Sequence, residues 1–145
     1  MSLVLVRVVD TLPDAFPLLA AHAAEEGVRN MALLADQWRA GTQRFDDPGA
    51  LFAAYIDGEL AGIGGVTPQS DLAEPAMRMR RLYVAPAFRR QGVGQALAGA
   101  MIQQGLQAAR LLTANARAGE AAPLFWEAMG FSPVEVTGHT HKMRG

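Results

Sequence analysis

Apolar and polar positions along the chain change period several times, and each change marks an element. Leu3–Val9 is a β-branched apolar run and reads as a first strand. Pro13-Asp14 can open a helix whose apolar residues continue to about Ala24. A second helical stretch, Val28 to Arg39, puts Met31, Leu34, Ala35 and Trp38 on one face and ends before Gly41. Asp46-Asp47-Pro48-Gly49 signals a loop. Leu51–Ile56, a turn at Asp57-Gly58 and Leu60–Val66 then form a hairpin. After a polar loop around Pro68–Pro75, a strand runs from Met77 to Val84 and is stopped by Pro86. From Val93 to Arg110 the residues Val93, Ala96, Leu97, Ala100, Met101 and Ala108 recur at helical spacing. Leu111–Ala114 is a short strand, and Ala121–Met129 is a helix with Gly130 at its C-terminal cap. Phe131–Val136 and His139–Met143 read as two closing strands. The order β-α-α-β-β-β-α-β-α-β-β predicts an α/β fold, a mixed sheet with helices on both faces. No repeat or linker divides residues 1–145, so one domain is expected.

The strand Met77–Val84 breaks its own alternation. Met77 and Met79 share one parity, while Leu82 and Val84 share the other. One extra residue at Arg80-Arg81, a bulge, would return all four to one face. A central strand covered on both sides would also carry such a pattern. The bulge is the preferred reading.

Composition narrows the chemistry more than the fold. Of 145 residues, 50% are hydrophobic and 19% charged, enough for a sizeable core. With no cysteine, disulfides, thiolate metal sites and thiol nucleophiles are excluded. Three histidines leave little for a metal centre, and His139-x-His141 lacks an obvious third ligand, so no metal site is expected. The opening MSLVLVRVVD is too short in apolar residues for a membrane span and has no small-residue cleavage site, so a cytoplasmic protein with no membrane partner is expected. The net charge of −1 conceals an asymmetry. Residues 1–77 carry eleven acids and four bases, and residues 78–145 carry three acids and nine bases. Either two sub-sites of opposite sign result, or the charges mix on one surface and cancel. A nucleic-acid-binding role for the arginine cluster is disfavoured, because the net charge is negative and no aromatic-basic interleaving is present.

Arg89-Arg90-Gln91-Gly92-Val93-Gly94-Gln95-Ala96, between a strand and a helix, has the chemistry of an anion trap. The first N–H groups of a helix lack intrahelical partners, and the helix dipole adds positive charge there. Gly92 and Gly94 let an anion approach the backbone, and Arg89 and Arg90 can add charge-assisted bonds. The pattern is not a P-loop, which needs G-x-x-x-x-G-K-[ST]. It is a poor dinucleotide fingerprint, since Leu97 stands where a third small residue belongs and no acid follows about twenty residues on. Leu82-Tyr83-Val84-Ala85-Pro86 leading into this turn instead resembles the acyl-CoA-binding motif of the GNAT acetyltransferases. The later segment Leu124-Phe125-Trp126-Glu127-Ala128-Met129-Gly130-Phe131 is similar to that family's second motif, a helix ending in Gly-Phe.

That resemblance, firm over residues 76–136, implies a GNAT-like, mostly antiparallel central sheet. It implies acetyl-CoA as co-substrate and direct transfer of the acetyl group to the amine of a small molecule or peptide. Backbone groups of Leu82, Tyr83 and Val84 would pair with the pantetheine arm, in a slot that a bulge at Arg80-Arg81 helps to open. Arg89, Arg90 and the N–H groups of Gln91, Gly92, Val93, Gly94, Gln95 and Ala96 would hold the pyrophosphate. Asn115 is a cofactor contact or a simple turn residue. Many members pair through sheet edges or helices, so a homodimer is one assembly the resemblance allows.

The sequence also departs from the family. The usual strand glutamate is replaced by Arg78 and Arg80, and the usual tyrosine by Trp126, which cannot serve as an acid. An ammonium of pKa ~10.4 loses its proton at a cost of roughly 4.6 kcal/mol at pH 7 unless a base assists. Glu74 is the candidate catalytic residue, acting through water, or else a solvated loop acid. Tyr83 and Tyr55 are candidate acids or packing residues, and His139 and His141 border the acceptor or serve structure. The acid-rich N-terminal half favours a cationic acceptor. Without the usual pair, a non-catalytic acyl-CoA sensor is the alternative reading.

Overall fold

In the computed structural model, which describes residues 2–117 and 119–145, seven strands and four α-helices alternate in the expected order. They are β1 (Leu3–Val8), α1 (Phe16–Glu25), α2 (Asn30–Ala40), β2 (Ala50–Ile56), β3 (Glu59–Gln69) and β4 (Ala76–Val84). There follow α3 (Val93–Ala108), β5 (Leu111–Ala114), α4 (Ala121–Ala128), β6 (Ser132–Pro133) and β7 (His141–Arg144). The sheet order is β1-β2-β3-β4-β5-β7-β6. Every neighbouring pair is antiparallel except β4 with β5.

Two apolar cores flank the sheet. Leu97 and Met101 of α3 and Trp126 of α4 pack on one face with Met77, Met79 and Leu112. Phe16 and Leu19 of α1 and Met31, Leu34 and Trp38 of α2 pack on the other with Leu51, Ala53 and Ile63. The 3.6-residue and two-residue periods of the sequence thus meet as helix stripes against strand faces.

The parity fault in β4 is a bulge. Ile63 pairs with Tyr83 and Gly65 with Arg80, so Arg81 and Leu82 together oppose Gly64. The extra residue lies at Arg81-Leu82, one position beyond the expected Arg80-Arg81, and Arg81 has a left-handed φ of 58°. A non-glycine residue there costs about 1–2 kcal/mol, and α2 holds it in place. Arg81 Nη2 donates to Gln37 Oε1 at 2.9 Å, and Asn30 Nδ2 donates to the Leu82 carbonyl at 3.0 Å. As expected, Met77, Met79, Leu82 and Val84 all pack on the α3 side, leaving Tyr83 in the opposite core.

Two boundaries differ from the sequence expectation. β3 runs on through Pro68 to Gln69, because β2 ends opposite Val66 and leaves β3 an edge that tolerates proline. The closing strands shrink to Ser132–Pro133 and His141–Arg144, since only Ser132 and Pro133 pair back onto β7 before Gly138 turns the chain at φ 97°. The fold predicts a contrast between two glycines. A Cβ on Gly64 would sit 2.8 Å from Met101 Sδ and 2.9 Å from Leu82 Cδ1, whereas one on Gly99 meets nothing within 4 Å. Gly64→Ala should lose about 1–3 kcal/mol in urea unfolding by overpacking. Gly99→Ala, in the middle of α3, should gain about 0.5–1 kcal/mol.

Candidate functional site

β4 and β5 run parallel but pair at only three positions, Ala76 with Leu111, Met77 with Leu112 and Arg78 with Thr113. Beyond Arg78, β4 continues paired to β3 alone, while β5 ends at Ala114. A cleft of about 1000 Å³ opens where the strands part. Its lining runs from Arg78 along β4 to the turn before α3, and across to Asn115 and to Phe125 and Trp126 of α4.

The turn carries the donors. Pro86–Phe88 forms a single 3-10 turn, Arg90 (φ 64°) and Gly92 (φ 81°) are left-handed, and α3 starts at Val93. No side chain caps this helix. Its first internal bond runs from Ala96 N to Gly92 O at 3.0 Å, so the N–H groups of Val93, Gly94 and Gln95 have no partner within the helix. These residues line the cleft with the positive end of the helix dipole. Ala96, expected among the donors, spends its N–H on the helix.

Strand geometry also sorts the expected pantetheine contacts. Ala85 N donates to Ala61 O at 2.8 Å, and Tyr83 pairs with Ile63, so the polar groups of both face β3. Those of Val84 therefore face the parted side, where its carbonyl accepts from Arg89 Nε and its N–H points into the slot. The Tyr83 backbone is taken by the sheet, and the Leu82 carbonyl is occupied by Asn30. Three buried polar atoms in the cleft wall have no partner: Asn30 Oδ1, Arg81 Nε and Asn115 Oδ1. Buried polar groups are ordinarily satisfied, so these three atoms leave hydrogen-bonding capacity in the wall.

Arg89 and Arg90 differ sharply. Arg89 Nη1 and Nη2 donate to Glu26 at 2.8 and 2.6 Å, and its Nε donates to Val84 O at 3.1 Å. The Tyr83 hydroxyl donates to the same carboxylate, under the Arg89 guanidinium. Both arginines line the cleft, but Arg89 is tied to an acid just beyond α1, while among the described residues Arg90 makes no ion pair. The Arg89 and Tyr83 hydrogen bonds hold the Glu26 carboxyl down to about 2. Burial, then Glu26, pushes the Tyr83 hydroxyl up, which makes it a poor acid.

Other expectations fall outside the cleft. Glu74 precedes β4 at the end opposite the turn and is bonded by Arg144 at 2.6 and 2.9 Å. It does not line the cleft, and its carboxylate is held by Arg144 instead. Tyr55 packs against the α1–α2 core. His141 is buried between Glu127 (2.9 Å) and Thr140 (2.8 Å). His139 is buried on the loop before β7, outside the cleft lining, and burial lowers its pKa. Trp126 stacks edge-on with Phe125 and Phe131 and forms part of the cleft wall. Among the described residues no group of three or more His, Cys, Asp or Glu could hold a metal, and no helix is long and apolar enough to cross a membrane.

Nor does the cleft hold the acids that the N-terminal half promised. Among the described residues lining it, Glu26 is the sole acid, and Arg89 neutralises it. The expectation of a cationic acceptor loses its basis. Glu26, Asn30 and Phe125 are cleft residues that the sequence reading missed. Glu26 meets the turn and Asn30 meets the β4 bulge through contacts made only in three dimensions.

The match to known proteins agrees with this architecture. The chain belongs to the acetyltransferase (GNAT) family, whose pattern matches residues 9–131. A candidate acetyltransferase from Exiguobacterium sp. 255-15 is 26% identical with a TM-score of 0.86, the match covering 99% of this chain and 94% of that one. A candidate GNAT acetyltransferase from Desulfovibrio desulfuricans is 20% identical with a TM-score of 0.71, covering 99% of each chain. An acetyltransferase from Streptococcus agalactiae 2603, at 12% identity and a TM-score of 0.76, covers 99% of this chain and 98% of its own, and shows the fold alone. No curated protein matches the sequence.

The Glu26 cluster predicts a pH dependence. Because the carboxyl is lowered from about 4.5 to about 2, its contribution to stability is complete above pH 4.5 and disappears as pH falls toward 2. In urea unfolding, wild type should exceed Glu26→Gln at pH 7, and the gap should close progressively between pH 4.5 and 2.

Proposed function

We propose that the chain transfers an acetyl group from acetyl-CoA directly to the amine of a small molecule or peptide. The single observation that carries this is the parting of β4 from β5 after Arg78, with an uncapped helix N-terminus at its mouth. The slot suits an amide-bearing arm laid along Val84, and the N–H groups of Val93, Gly94 and Gln95 suit a pyrophosphate. Arg90 adds charge there, and Asn115 offers a buried amide with an unpartnered oxygen.

In this reading acetyl-CoA supplies the activated acyl group, and the chain binds, orients and excludes water. The amine nitrogen forms a bond to the thioester carbonyl carbon, the carbon–sulfur bond breaks, and the thiolate takes up one proton as the nitrogen loses one. Among the described residues no unpaired carboxylate lines the cleft, and the Tyr83 hydroxyl donates to Glu26. Positioning and backbone polarisation therefore carry the reaction, and protons exchange with solvent.

Acetyl-CoA turnover followed by thiol release over an amine panel tests the proposal. Release that depends on an amine supports it, and saturable binding without turnover favours an acyl-CoA sensor. Gly92→Asp isolates the cofactor site. Aspartate tolerates the left-handed conformation and the start of a helix, so the variant should fold, yet its carboxylate would face the pyrophosphate. CoA affinity should fall at least about 100-fold by calorimetry, and unchanged affinity in a folded variant would remove the claim.

A further inference from the structure

The far end of the cleft from the turn holds a second cluster of positive charge. Arg78 and Arg80 alternate along β4 with Met77 and Met79. The methionines belong to the α3 core, so the arginines project from the opposite face. The core on that face takes from β4 only Tyr83, and both arginines are half-buried in the cleft wall. They stand where β4 and β5 are about to part, Arg78 directly opposite Thr113. Arg81 joins them at the bulge with its Nε buried and unpartnered.

Among the described residues, neither Arg78 nor Arg80 makes a side-chain hydrogen bond, and none of the three lies within 4.0 Å of a carboxylate. Burial, followed by repulsion from Arg81 and Arg78, lowers Arg80 to about 10, still cationic at neutral pH. Half-buried guanidiniums without a counter-charge are unfavourable unless something completes them. The phosphates of the cofactor do not serve, since in the reading above they lie at the other end of β4.

We infer that Arg78, Arg80 and Arg81 bind the acceptor through a carboxylate or phosphate carried on the same molecule as its amine. The inference rests on the acetyl-transfer reading and names its substrate class, an anionic amine. Guanidinium forks match carboxylate and phosphate oxygens in paired hydrogen bonds. The same charges act on the reacting nitrogen. A neighbouring cation disfavours an ammonium and favours the free amine. The arginines thus contribute toward the deprotonation that a base would otherwise assist.

The test is a calorimetric titration of protein saturated with CoA, which keeps the turn occupied. Inorganic phosphate, N-acetylglycine and N-acetylglycinamide serve as probes. N-acetylglycine should bind at least about tenfold more tightly than its neutral amide, and phosphate should compete with it. Arg80→Gln and Arg78→Gln should each weaken the acid about tenfold and leave the amide and CoA affinities unchanged, the latter certifying the fold. Equal affinities for acid and amide, including no measurable binding of either, would overturn the inference. So would a preference that survives the double variant. Failure of CoA itself to bind would bring down the underlying reading and this one with it.

Discussion

The candidate site depends on two parallel strands that stop pairing. A parallel neighbour is ordinarily held along its length, and unpaired strand edges are a liability. Here β4 releases β5 after Arg78, and its bulge falls three residues later, at Arg81-Leu82. The bulge needs Gly64 opposite, a left-handed Arg81 and two bonds from α2. Sheet, α2 and α3 are therefore all committed to keeping the strands apart, and the cleft is a consequence of packing rather than of a mobile loop.

The cleft is asymmetric in its charges as well as its shape. At the mouth, donors come mainly from backbone, and the nearest arginine is restrained by Glu26. At the closed end, side-chain guanidiniums stand without counter-charges among the described residues. The Glu26–Arg89–Tyr83 cluster ties the end of α1 to the turn and withdraws its one acid and one tyrosine from chemistry. What remains for catalysis is geometry and positive potential, a division consistent with arginines standing where the family's glutamate is usual.

Much of this was legible in the chain. Methionines at 77 and 79 against Leu82 and Val84 located the bulge to within one residue, because side-chain parity is a direct record of strand register. The glycines and the helix period after them located the turn and the uncapped start of α3, since both signals are local. Long-range pairings were not legible. Glu26 meets Arg89 across 63 residues, and nothing in either segment announces the other. Glu74 looked available from its place before β4, yet Arg144 takes it from 70 residues away. The charge imbalance between the two halves misled for the same reason: the acids are in the first half of the sequence, but the fold leaves only one of them lining the cleft.

Backbone amide chemical shifts, followed as CoA is added, test the central claim most directly. The largest changes are expected at Val84, Val93, Gly94 and Gln95, with Ala96 much less affected because its N–H remains in the helix. Saturable CoA binding that leaves those four amides unmoved would contradict it.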